Sequence, residues 1–119
     1  MRDYKNLLVW KKSHELTLHV NRTVIPLFPK SEQLELTSQI KRAAYSIPLN
    51  IVEGCGRYTE KDFTHFLDNA LGSCHEVEYC SFLAYELGYI NHTKYEEVNK
   101  IANEVKAMLI AFIKTLRKE

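Results

Sequence analysis

The sequence predicts an all-α protein, an up-down-up-down four-helix bundle, on three observations. Glycine and proline punctuate the chain at three places, the stretches between them carry apolar residues at helical spacing, and no stretch shows the alternation of a strand. Four long helices joined by short links fold most simply as such a bundle. The chain of 119 residues is the size of one domain, 1–119, large enough to bury a core without staples.

The first helix runs roughly from Asn6 to Val24, with Val9, Ser13, Leu16 and Val20 on one face, and Pro26 and Pro29 end it. The second runs from about Ser31 to Glu53, stopped by Gly54 and Gly56. Thr59 then starts the third as an N-cap, with Asp62 in a capping-box-like position. Phe63, Phe66, Leu67, Ala70, Cys74, Val77, Ser81 and Ala84 line its inner face as far as Gly88. Asn91 or Thr93 caps the fourth, and Thr93 with Glu96 makes the better box. Its core positions Val98, Ala102, Val105, Leu109, Phe112 and Leu116 follow a heptad pattern.

Helix 2 is the informative one. At about 100° per residue, Leu36, Ile40, Ala43, Ala44, Ile47 and Ile51 gather on an ordinary core face. Beside it runs a narrow polar stripe of Gln39, Arg42, Ser46, Asn50 and Glu53. Helix 3 offers Asn69, Ser73 and Glu76 along its own flank, and an antiparallel hairpin closing near Gly56 brings the two stripes together. The expectation is a hydrogen-bonded seam containing an Arg42–Glu76 ion pair, against the alternative of a solvated pair contributing little. Across the helix, Tyr45, Pro48, Leu49 and Val52 form a second apolar side, where a monomer's surface helix is polar. Another copy of the chain would cover it, or else the N-terminal segment or the 25–30 loop folds over Tyr45 and Leu49. Pro48 removes one backbone hydrogen bond and should bend the helix, a cost of roughly 3 kcal/mol if nothing compensates.

The segment Q-I-x-R-A-A-x-S-I-P-x-N-I-x-E-G-x-G-R, here Gln39 to Arg57, is the most specific part of a resemblance that covers nearly the whole chain. With LVWKKSHEL before it and FLDNALGSCHEVEYCSFLAYELGYI after, the chain resembles the four-helix-bundle proteins of intervening sequences in bacterial 23S rRNA genes. The resemblance implies a cytoplasmic homopentamer of four-helix protomers without established enzymatic activity. It also implies kinship to accessory proteins of diversity-generating retroelements, which accompany reverse transcriptases and can bind nucleic acid. The second apolar side of helix 2 then reads as a subunit contact.

Charge and composition narrow the function classes. Net charge is +1, but residues 1–58 hold nine Lys/Arg against five Asp/Glu while residues 59–119 hold seven against ten. This split suits a basic half packing on an acidic half, within or between chains, better than a protein coated in positive charge. Nucleic-acid contacts would come from Lys11, Lys12, Lys41, Arg57 and Lys61, with Tyr58 or Tyr45 stacking on a base; the C-terminal Lys114, Arg117 and Lys118 sit where a helix dipole favours cations anyway. A polymerase-type protein is the other candidate partner. Only four apolar residues run together in MRDYKNLLVWKKS, too few for a signal-peptide core, and nothing later could span a bilayer. Cys55, Cys74 and Cys80 lack metal-site spacing and read as reduced thiols. Gly54-Cys-Gly56 follows no strand and lacks the lysine of a phosphate loop. Asp62 with His65, Glu15 with His19, His14 with His19, and Cys74 with His75 fall short of di-iron or structural zinc patterns. No enzyme, metal or cofactor is therefore expected.

Overall fold

Capping chemistry sets the helix bounds. The computed structural model describes residues 1–118 and places among them four α-helices and no strand: α1 (Leu8–His19), α2 (Leu36–Cys55), α3 (Glu60–Glu86) and α4 (His92–Leu116). Thr59 Oγ1 accepts from the Asp62 N–H at 3.1 Å and opens α3. At its far end Gly88 takes the left-handed φ of 81°. The Gly88 and Tyr89 N–H groups then bond the Tyr85 and Ala84 carbonyls at 3.0 and 2.9 Å, the two bonds of a Schellman ending.

Two starts differ from expectation. Asn91, not Thr93, caps α4, its Oδ1 accepting from the Lys94 N–H at 2.8 Å; asparagine outranks threonine as a cap. α2 begins at Leu36 rather than Ser31, after a 3-10 turn at Lys30–Glu32. The Glu32 carboxylate explains this. It reaches forward to accept the Leu36 N–H at 3.1 Å, and the Tyr89 hydroxyl donates to its other oxygen at 2.7 Å.

α1 packs on α2 and α4, and α3 packs on the same two helices. Between α2 and α3 the meeting pairs are Gln39–Glu76 and Ser46–Ser73, with Gly54 against Phe63. Between α3 and α4 they are Phe63–Phe112, Glu78–Lys106 and Tyr85–Tyr95. Thr17–Ala44 joins α1 to α2, while Lys12–Glu104 and His19–Glu97 join α1 to α4. Between α2 and α3, α3 and α4, and α1 and α4, residue numbers rise along one partner as they fall along the other, in an elongated body of 45 × 23 × 20 Å. Every position of the expected inner faces of α1 and α2 is buried. On α3 only Phe66 lies at the margin. On α4, Val98, Ala102, Val105 and Leu109 are buried, but Ile113 takes the next core position and Phe112 is half-buried. A straight helix drifts by about 20° per heptad against a strict seven-residue repeat, which carries Phe112 to the flank.

Pro48 lies inside α2 and has no N–H for the Ala44 carbonyl four residues back. Thr17, buried on α1, supplies the missing donor. Its hydroxyl is 2.8 Å from the Ala44 oxygen, with the Ser13 carbonyl 3.1 Å away as a second acceptor. The other buried hydroxyls, Ser13, Thr64 and Ser81, bond carbonyls of their own helices.

Gly54 is a correction of another kind. It does not end α2 but lies buried in its last turn, and Gly56 is the C-cap. A Cβ on Gly54 would stand 3.0 Å from both Phe63 Cδ1 and Phe66 Cβ, so its bare backbone lets the first turn of α3 approach. Gly54→Ala is expected to destabilise by about 1–3 kcal/mol, as overpacking does. Urea unfolding checks this, and Gly72→Ala, where an added Cβ meets nothing within 4 Å, is the control.

Candidate interaction face

The polar stripe on α2 is a ladder with one rung misassigned. Ser46 and Ser73 hydroxyls meet at 2.7 Å, and Asn50 Nδ2 donates back to the Ser46 carbonyl and hydroxyl at 2.8 and 2.9 Å. Gln39 Nε2 donates to the Glu76 carboxylate. Glu53 instead accepts from Arg57 at 2.8 Å, one turn along. The expected Arg42–Glu76 ion pair does not form: Arg42 is exposed and Gln39 holds that carboxylate. The wheel explains the exchange, because Arg42 lies about 60° further round from the core face than Gln39. Asn69 is also exposed, as are Gln39 and Glu76, so only the Ser46–Ser73–Asn50 centre of the seam is half-buried.

The second apolar side of α2 stays open to solvent. Leu49 is 62% exposed and Tyr45 43%, with Pro48 and Val52 half-buried beside them. The N-terminal segment does not fold over them; with α1 it forms the opposite wall. Tyr4, Trp10 and His14 face Tyr45, Pro48, Leu49 and Val52 across a groove of about 470 Å³. Trp10 and His14 stack at 5.0 Å, and Tyr4 packs edge-on against Trp10 at 4.9 Å, which fixes that wall. Two main-chain anchors flank the groove. Thr17 holds α1 to the Ala44 carbonyl near one end, and the Arg2 N–H donates to the Cys55 carbonyl at 2.9 Å near the other. At the Thr17 end the Tyr45 hydroxyl donates to Asn21 Oδ1 at 3.3 Å.

The five cations picked out as nucleic-acid contacts do not share a surface state. Lys12 lies between Glu104 at 3.2 Å and Glu15 at 3.3 Å, and hydrogen bonds to Glu104 first and Glu15 second hold its ammonium above the usual lysine range. Arg57 pairs with Glu53 and lies over the Phe66 ring at 4.8 Å. Lys11, Lys41 and Lys61 are exposed and form no ion pair among the described residues. They stand on three different helices, with Lys41 on the order of 20 Å from the far end of α2. Tyr58, in the α2–α3 turn, is exposed.

Of the groups screened for chemistry, Cys74 and Cys80 are buried and His19 is half-buried. Burial, with a smaller push from Glu78, drives the Cys74 thiol up to about 12; burial and then Glu76 drive Cys80 up to about 11. Burial lowers His19 below its ordinary value, against Glu97 at 3.5 Å. Among the described residues no three His, Cys, Asp or Glu side chains converge as a metal-binding group, and no helix is long and apolar enough to cross a membrane.

The sequence model of the 23S rRNA-intervening sequence proteins matches residues 5–111. Among solved structures, one from Bacteroides thetaiotaomicron VPI-5482 is described as a protein of unknown function from the S23 ribosomal protein family. It superposes with a TM-score of 0.80 at 33% identity, covering 90% of this chain and 99% of its own. No curated protein matches the chain.

Two substitutions separate the rungs of the seam. Ser46→Ala should cost about 1 kcal/mol, the net worth of a typical hydrogen bond. Arg42→Met should stay within about 0.5 kcal/mol of the parent, as for a surface change. Thermal melting of both variants checks the assignment.

Proposed function

The chain belongs to the 23S rRNA-intervening sequence protein family, and from that premise we propose that it is a non-enzymatic, cytoplasmic protein that self-associates through the α1–α2 groove. Its protomer is read as an up-down-up-down four-helix bundle, and its assembly as a homopentamer. The opposed numbering of the pairs between α2 and α3, α3 and α4, and α1 and α4 supports the first reading.

One observation carries the self-association: Tyr45 and Leu49 remain exposed although the N-terminal segment is ordered beside them, anchored at Arg2 and stacked at Trp10. The intramolecular cover that could have hidden these side chains is already in place and does not reach them. A contiguous apolar groove rimmed by polar groups is the mark of a protein contact. Burial raises the Cys74 and Cys80 thiols well above their ordinary value, which leaves little thiolate at neutral pH and weighs against nucleophilic catalysis by these two.

The task of such an assembly is multivalent binding, with nucleic acid as the first ligand class and a polymerase-type protein as the second. The unpaired Lys11, Lys41 and Lys61 support the first, and repetition around a ring would multiply them. Because Lys12 and Arg57 are engaged by carboxylates, the contribution of these two to phosphate binding is expected to be small. A scaffold that binds protein alone is the second reading, favoured by the same engagement.

Light scattering on a sizing column should give a mass near five times 13.9 kDa for the parent. Leu49→Glu should reduce it to that of one chain without loss of helicity. A parent that runs as a single chain would refute the self-association. Nucleic-acid binding that is absent even at low salt would leave the scaffold reading.

A further inference from the structure

A second hollow lies between the α1–α2 linker and the first turns of α2, and it shares no residue with the groove of Tyr45 and Leu49. We propose that it docks an acidic segment of a partner protein. Apolar side chains of that segment rest on Leu34 and Pro26, and its carboxylates meet Lys30 and Lys41.

The hollow is ready formed. Its linker reads IPLFPKSEQL from Ile25 to Leu34, and the two prolines fix the backbone φ at their positions. The Phe28, Glu32 and Gln33 N–H groups close successive turns on the Ile25, Pro29 and Lys30 carbonyls, each at 3.0 Å. Tyr89 then pins the linker to the body. Its ring packs on Phe28 at 5.9 Å and its hydroxyl donates to Glu32 at 2.7 Å. An open hollow of about 520 Å³ results, held by groups that a ligand need not order. Leu34 stands 88% exposed on its edge. One exposed leucine is ordinary, but this one shares a concave site with Ile25, Pro26 and Pro29.

Charge selects the occupant. Lys30 and Lys41 come from two different elements, the 3-10 turn and α2, and both are exposed. Neither forms an ion pair among the described residues, and no carboxylate lines the hollow with them. Glu32 is close in sequence, but its two oxygens are taken by the Leu36 N–H and the Tyr89 hydroxyl. Glu35 is exposed and outside the lining. An apolar site whose charges are all positive complements a segment that alternates apolar and acidic residues. Single-stranded nucleic acid fits less well, because it draws on exposed rings for its bases to stack on. The one ring in this lining, Phe28, is only 9% exposed.

Selection from a random dodecapeptide library displayed on phage, with the full chain as target, tests the proposal without presupposing a partner. Enriched peptides should carry Asp or Glu beside Leu, Ile or Phe. A synthetic copy of the strongest, labelled with fluorescein, should bind by anisotropy and weaken as salt is raised. Lys41→Glu and Leu34→Ser should each weaken it about tenfold or more, a range common for a central contact. Lys100→Glu, an equal change of charge on α4, should not. All three positions lie on the surface or outside the core, and circular dichroism verifies that each variant folds. The proposal is overturned if the enriched peptides lack acidic residues, or if Lys41→Glu and Leu34→Ser bind them as the parent does. It is equally overturned if no peptide is enriched while oligouridylate binds through Lys41, which would make the hollow a nucleic-acid contact. The sizing-column mass of the parent bears on none of these outcomes, so self-association stands or falls separately.

Discussion

The structure turns on one orphaned carbonyl. Pro48 deprives Ala44 of its helical donor in the middle of α2. A buried carbonyl without a partner costs about 1–3 kcal/mol, and Ala44 is itself fully buried, so water is not at hand to replace the bond. Thr17 meets the demand from α1, and in doing so fixes α1 along α2. The Arg2 N–H does the same for the Cys55 carbonyl at the end of the helix. α1 and the segment before it are therefore held to α2 at two heights by main-chain acceptors. The apolar groove lies alongside this line of attachment, walled by Trp10 and Tyr4 on one side and by Pro48, Leu49 and Val52 on the other. A proline that looks like a defect in a helix thereby specifies how its neighbour is placed.

Electrostatics divides the remaining surface. Where α1 and α4 meet, and where α3 and α4 meet, cations and carboxylates cancel in pairs such as Lys12–Glu104 and Lys106–Glu78. These pairs are half-buried, and they remove charge from the faces that hold them. What survives is scattered: Lys11, Lys41, Arg42 and Lys61, on three helices, form no ion pair among the described residues, nor do Asp62, Glu76 and Glu86, and the net charge of +1 conceals this scatter. It accounts for why the cations cannot be ranked as ligands from sequence spacing alone, since Lys11 and Lys12 are adjacent yet only Lys12 is ion-paired.

Most of the helical architecture was legible because period and caps report local forces. The inner faces of α1 and α2, the Thr59 cap and the Gly88 ending all follow from residues within a turn or two of each other. The misreadings involve groups distant in sequence or small angular differences. Glu32 delays α2 through its own side chain and a hydroxyl 57 residues away. Gly54 looks like a helix stop because its role, admitting Phe63 and Phe66, exists only once α3 packs. Arg42 and Gln39 share a stripe, and about 60° of rotation between them decides which reaches Glu76. Thr17 carried no signal except that helix 2 needed a donor from somewhere. A search for buried hydroxyls on helix 1 at the level of Pro48 would have found it. The groove was half-legible: its α2 wall follows from the wheel, while its Tyr4–Trp10–His14 wall depends on where the N-terminal segment is anchored.

A double-mutant cycle between Thr17 and Pro48 tests the central claim most directly. Thr17→Val removes the donor while keeping the shape, and Pro48→Ala restores the helical N–H to Ala44. In the parent, Thr17→Val should cost about 1–3 kcal/mol by urea unfolding. In the Pro48→Ala background that cost should fall by at least about 1 kcal/mol, because the carbonyl then has its own donor. Equal costs in the two backgrounds would contradict the account, since Thr17 would then be acting on something other than the carbonyl that Pro48 leaves bare.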